Sequence, residues 1–259
     1  METLVLDTAP SNRRLPPGAL RGHVRLTVQT VHAQRLIWGR ASRPGVPAIV
    51  GLVGFADRLR VIWQAVAADD PYADWFLLRI ESALVDVRTL IQAERAVVPA
   101  FDDEAIEVEL AASTRPARIE LRFATPYAYR AAYLLGQFDA HARRLLTARH
   151  VGFVAPQTIA DSLRRCAHAI RASFATPQMY RVFGVDRLGY GQATAATNRA
   201  RARMGDVPID VLEGRTLAAA RPRPATPPTE LLDCAALEDV SASFMDDLAP
   251  LEVSDEGQS

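Results

Sequence analysis

An α+β fold, mainly helical with a small antiparallel β-sheet, is what the sequence predicts, on three observations. Long stretches such as Tyr72 to about Val98 keep a 3.6-residue apolar period, the mark of amphipathic helices. Three short runs, HVRLTVQT (23–30), IEVEL (106–110) and RIELRF (118–123), instead alternate with period two, as half-buried strands do. The last of these runs directly into Thr125-Pro126, a capping hydroxyl and a first-turn proline, so strand, cap and long helix follow with no slack. With a further helix from Pro156, the order over about 118–174 is that of a ribbon-helix-helix-like element.

In chain order, residues 1–20 read as a mobile N-terminal arm and 21–216 as a single globular domain. The first strand places Val24, Leu26 and Val28 opposite His23, Arg25, Thr27 and Gln29. After the loop GRASRPGVP, Ala48–Ala68 reads as a buried helix through Ile49, Leu52, Val53, Phe55, Leu59, Ile62, Trp63 and Val66, loosened by Gly51 and Gly54. Asp69-Asp70-Pro71 closes it and caps the next helix, whose period runs through Trp75, Leu78, Ile80, Leu84, Val87 and Ile91. IEVEL and RIELRF, seven residues apart, are candidates for a hairpin. The helix over 128–150 is expected to bury Tyr133, Leu134, Phe138, Leu145 and Leu146, and the one from Pro156 to bury Ile159, Leu163, Cys166, Ala167 and Ile170. A third basic helix, TAATNRARARM, spans roughly 194–204. The stretch 217–229 reads as a proline-rich linker and 230–259 as an acidic disordered tail. Leu237, Val240, Phe244 and Leu248 give that tail one apolar stripe when helical, suited to docking on a protein partner or on the chain's own basic surface.

Net charge is zero, but it is segregated. Residues 115–203 carry 15 Arg against 4 acids, residues 61–114 carry 3 Arg against 11 acids, and from Pro224 onward there are 9 acids and no base. Such asymmetry points the basic region at an anionic partner, with double-stranded DNA the leading candidate. Every base other than histidine is Arg, the better bidentate reader of phosphate and guanine.

Enzymatic chemistry finds no purchase. HExxH, CxxC, GxSxG and GxxxxGK[ST] are all absent. Cys166 and His168 point to different sides of a helix, and Asp69, Asp70 and Asp74 read as caps before they read as ligands. Neither a cofactor nor a metal is expected. The N-terminus has no apolar core of a signal peptide, no run approaches the ~20 residues of a membrane span, and two distant cysteines suit a reducing cytoplasm.

A two-stranded ribbon fits the major groove of DNA, and RIELRF would present Arg118, Glu120 and Arg122 to it: Arg for guanine or phosphate, Glu for a cytosine amino group. Its second strand can come from a two-fold copy of itself. Alternatively RIELRF pairs inside one chain with IEVEL or HVRLTVQT, leaving its arginines merely solvated. Phosphate contacts are assigned to helix N-termini and nearby side chains: Thr125, Arg130, Arg143, Arg144, Gln157 and Thr158.

VGFADRLRVIWQAVAADDPYADWFLLRIE, RIELRFATPYAYRAAYLLGQFDAHARRLLTARHVG and MGDVPIDVLEGR resemble the integrating conjugative element protein family that includes the AcaB-like transcriptional regulators, over about residues 18–216. The resemblance implies a bacterial, cytoplasmic DNA-binding regulator acting on promoters of conjugative transfer genes of an integrative conjugative element; activation is the favoured sign with repression left open, and a homodimer is expected from the two-fold pairing of the ribbon. It also implies a ribbon at Arg118 to Phe123 and helices at Tyr127 to His150 and Pro156 to Phe174. The competing expectation is a non-enzymatic structural or adaptor protein of the conjugation machinery, docking partners through its charged regions.

Overall fold

A computed structural model of the chain describes residues 23–98, 102–103 and 106–222. The arm 1–20, the proline-rich stretch from 223 and the acidic tail 230–259 lie outside the described residues. Eight helices and four strands follow in the order β1 (Val24–Val28), α1 (Val31–Trp38), α2 (Leu52–Ala67), α3 (Pro71–Val97), β2 (Asp102–Asp103), β3 (Ile106–Glu107), β4 (Ala117–Leu121), α4 (Pro126–His150), α5 (Pro156–Ala175), α6 (Arg187–Gly191), α7 (Ala195–Met204) and α8 (Ile209–Leu212). A 3₁₀ turn at Thr176–Met179 continues α5.

Local chemistry sets the helix starts. Asp70 accepts hydrogen bonds from the Tyr72 and Ala73 amides at 2.8 and 3.3 Å, and Pro71 occupies the first turn, so Asp70 caps α3 as its sequence suggests, while Asp69 turns to Arg187. Thr125 does the same for α4, its hydroxyl accepting from the Ala128 amide at 3.3 Å. Gly51 departs from its sequence reading. It sits just before α2 rather than inside a longer helix, and a Cβ there would lie 2.4 Å from the backbone of Ile37 and Gly39. Its role is close backbone approach, together with Gly39 at φ 69°.

The apolar faces of α2, α3, α4 and α5 close one core around Phe55, Leu59, Ile62, Leu77, Ile80, Leu135, Phe138 and Ile170, all at most 1% exposed. Phe55 stacks on Phe174 with ring centroids 4.9 Å apart, and Phe76 meets Tyr180 edge-on at 5.6 Å. Each such aromatic or branched side chain contributes about 1.5–3 kcal/mol by leaving water. Tyr133, expected in this core, is instead 64% exposed; Leu134 and Leu135 take the inward positions beside it.

The principal sheet pairs distant segments. β4 is antiparallel to β1, with Leu26 opposite Ile119 and Arg25 opposite Glu120. IEVEL does not reach β4: Ile106–Glu107 forms a short ladder with Asp102–Asp103. The connection after it is pinned elsewhere, since Ala111 N–H donates to Thr147 Oγ1 at 3.1 Å and Arg143 Nε donates to the Ala111 carbonyl at 2.8 Å. That anchorage to α4 carries the chain past the hairpin and leaves β4 to β1.

Asp139 joins the sheet to the helical core. Buried in α4, it accepts from the Gln29 and Thr30 amides at 2.9 and 2.8 Å and from the Thr30 hydroxyl at 2.7 Å. Thr30 in turn caps α1, accepting from the Ala33 amide. Asp139→Ala strands three donors beneath the surface, two of them backbone, and each orphan costs about 1–3 kcal/mol. We expect the variant to lose about 3 kcal/mol or more in urea unfolding; a loss under about 1 kcal/mol would mean water replaces the carboxylate.

The α4–α5 contact contains a titrating group. His141 is fully buried and lies 3.0 Å from the Ser162 hydroxyl, while its Nδ1 finds no partner among the described residues. Burial holds its pKa down to about 4, with Arg95 and Arg144 acting in the same sense and Glu94 opposing. The unfolded chain, with a histidine near 6.5, binds a proton between pH 6.5 and 4 that the native state refuses, so this contribution is complete above pH 6.5 and lost as acid is added. Asp70 acts oppositely: burial raises it to about 6, so between pH 6 and 4 the native state holds the extra proton and gains. His141→Gln keeps a hydrogen-bonding group and removes the titration. In urea titrations the wild type should lose stability relative to this variant between pH 7 and pH 5, and parallel curves would refute the assignment.

Candidate nucleic-acid interface

The alternation of β1 and β4 sorts their side chains onto two faces. Leu26, Val28 and Leu121 are buried and Ile119 half-buried, and this face lies on α4, where Leu26 packs over Gly136. The opposite face carries Arg25, Thr27, Arg118 and Glu120, with Arg122 just beyond the strand, all exposed. Arg25 faces Glu120 across the ladder at 3.7 Å and Arg122 reaches the other oxygen of the same carboxylate at 3.4 Å. Two guanidinium groups therefore flank one carboxylate, with Arg118 exposed on the same face, and the Arg122 side chain is 83% exposed. Exposed pairs of this kind contribute at most about 1 kcal/mol, so both paired arginines can be redirected to an incoming anion at little cost.

Arg118, Glu120 and Arg122 are thus brought together on one solvent-facing ribbon. The other sequence candidates are dispersed. Thr125 is 2% exposed and its hydroxyl is engaged in the α4 cap. Arg130 pairs with Glu81 of α3 at 2.9 Å and lies over the Tyr127 ring. Arg143 holds the Leu110 and Ala111 carbonyls. Arg144 is half-buried on α4. Gln157 and Thr158 are exposed in the first turn of α5, where Gln157 donates to Asp161 at 3.2 Å and no side chain caps the helix. Arg25 and Thr27 are the members of the ribbon that the site assignment from sequence omits. Their signal was the alternation of HVRLTVQT, but which strand lies beside RIELRF is a long-range fact that alternation does not encode.

A cationic ribbon followed without slack by two packed helices defines a class: a helical protein with a strand–helix–helix unit whose polar strand face turns to solvent. Among the described residues no cluster of His, Cys, Asp and Glu is placed to hold a metal ion, and no helix is long and apolar enough to cross a membrane. The sequence profile of the family described as "Transcriptional regulator AcaB" matches residues 16–223, and the chain belongs to that family. The crystal structure of selenomethionine-containing AcaB from uropathogenic E. coli shares the fold, with a TM-score of 0.51 at 11% identity, covering 74% of this chain and 95% of that one. No curated protein matches the sequence significantly.

Proposed function

We propose that the protein is a DNA-binding transcriptional regulator of conjugative transfer genes on an integrative conjugative element, acting as an activator in the bacterial cytoplasm, and that the outward face of β1 and β4 reads the DNA. The observation that carries this reading is the ribbon itself, with Arg25, Arg118 and Arg122 exposed on one face within a family of transcriptional regulators. A two-stranded ribbon fits the major groove, where Arg pairs with guanine O6 and N7 and Glu120 can accept from cytosine. The protein acts as a homodimer: β1 occupies one edge of β4, no described strand occupies the other, and a second copy pairing there gives a symmetric four-stranded sheet. Arg130, Arg143, Arg144, Gln157 and Thr158, dispersed over α4 and α5, serve in this reading as phosphate contacts, and Thr125 contributes by fixing the start of α4.

A gel-shift titration against promoter fragments of the element and an equal-length random duplex, at two salt concentrations, tests this. A preference of roughly 10³ or more for one fragment, steep in salt, is the expected result. Weak and equal binding to both would overturn it in favour of an adaptor role.

A further inference from the structure

A second cationic surface lies on residues that the ribbon does not use. The segment after the 3₁₀ turn and one side of α7 form an open groove of about 590 Å³, lined by Arg181, Val182, Phe183, Arg199, Ala202 and Arg203. Its three arginines have no carboxylate within ion-pairing distance among the described residues: Arg181 donates to the Gln178 and Tyr180 carbonyls at 2.7 and 2.9 Å, and Arg199 and Arg203 are exposed. Between them the floor is apolar, with Val182 42% exposed and Phe183 half-buried. A phosphate backbone would satisfy the arginines and leave these apolar atoms in water. A peptide bearing both acids and apolar side chains satisfies both.

We propose that this groove is the docking site for the chain's own acidic segment, residues 230–259, held in cis. That segment has nine acids and no base, and Leu237, Val240, Phe244 and Leu248 are spaced by three, four and four, one face of a helix. The chain leaves the described structure at the start of α3, which is tied to the end of α7. Arg221 is fixed to Asp74 by bonds of 2.7 and 3.0 Å in the first turn of α3. Two residues earlier in that helix, the Tyr72 hydroxyl donates to the Gly205 carbonyl at 3.0 Å, at the end of α7, and Met204 accepts from the Arg181 amide at the groove rim. Leu237 lies fifteen positions beyond 222, a reach of up to about 50 Å. A tether this short keeps the acidic segment at high local concentration around the arginines, so modest contacts suffice.

The test uses the two native thiols. Cys166 is fully buried and its thiol is pushed up to about 11 by burial, so a nitroxide reagent modifies Cys234 in the full-length chain. Amide signals of Val182, Phe183 and Ala202 should lose most of their intensity near ~0.15 M salt, where unspecific attraction is screened beyond about 8 Å. They should recover in Arg199→Glu/Arg203→Glu, a change confined to exposed positions. Unaffected groove signals overturn the proposal, as does equal broadening around Arg118 and Arg122. Broadening that appears only between spin-labelled and isotope-labelled copies assigns the groove to another molecule's tail, and signal changes on adding duplex DNA with the tail undocked assign it to nucleic acid; either replaces the proposal.

Discussion

Replacing Arg118 and Arg122 together by alanine should, on the proposed reading of DNA by the ribbon, lower affinity for the specific promoter fragment by about 30-fold at least, while binding to random duplex and the salt slope should change far less. Each arginine that reads a base edge contributes about 1–3 kcal/mol, and the two lie exposed on one face of the ribbon, Arg122 giving up only its exposed pair with Glu120. Arg143→Ala is the informative contrast. Its guanidinium holds the Leu110 and Ala111 carbonyls at 3.3 and 2.8 Å, so it perturbs the loop before β4 as well as any phosphate contact, and its effect should be similar on both duplexes. If the double variant retained its preference for the promoter fragment, base reading would have to move off the ribbon.

Asp74→Ala should be the most destabilising single substitution outside the apolar core, by about 3–5 kcal/mol. The carboxylate is fully buried in the first turn of α3 and is shared by Arg187, at 2.5 Å, and Arg221, at 2.7 Å. Those side chains are only 20% and 16% exposed, so removing the acid leaves two hemmed-in cations facing each other, with Asp69 the remaining carboxylate among the described residues and the Val211 and Leu212 carbonyls on Arg187. Urea unfolding gives the magnitude. Limited proteolysis should also cut within 217–222, the segment Arg221 secures together with the Ala219 amide on Glu81 and the Ala220 amide on the Tyr127 hydroxyl. A loss below about 1 kcal/mol would show that both arginines rehydrate freely.

Much of this architecture was legible where the signal is local. The caps at Asp70 and Thr125, the prolines that follow them, and the apolar period of α3, α4 and α5 identify those helices within a few residues. The polar face of β4 is equally plain, because alternation is a property of the strand alone. Pairing is not. Whether RIELRF meets IEVEL, HVRLTVQT or a second copy depends on where Arg143, Thr147 and Asp139 of α4 tie the intervening chain, contacts separated by up to 110 residues. The same applies to α1, too short at eight residues to show a period, whereas Tyr133 stands nearly opposite the buried Ala131 and Leu135 on α4, so the helix period itself turns it outward. Asp74 reads as a helix-start acid, yet its two arginines arrive from positions 187 and 221 and leave no trace beside it.

The pairing of β1 with β4 also determines which pieces of the chain can stand alone. The ribbon is assembled from strands almost a hundred residues apart, with α1, α2 and α3 between them, so it exists only once the helical core has brought its ends together. A fragment cut to the strand–helix–helix unit, 117–175, therefore carries a bare strand with both edges open. Such an edge seeks any complementary strand, and in solution the nearest is the same strand of another fragment. The excised unit should self-associate through β4 and bind DNA with a specificity unlike that of the intact protein, because half of the proposed reading face, Arg25 and Thr27, has been left behind.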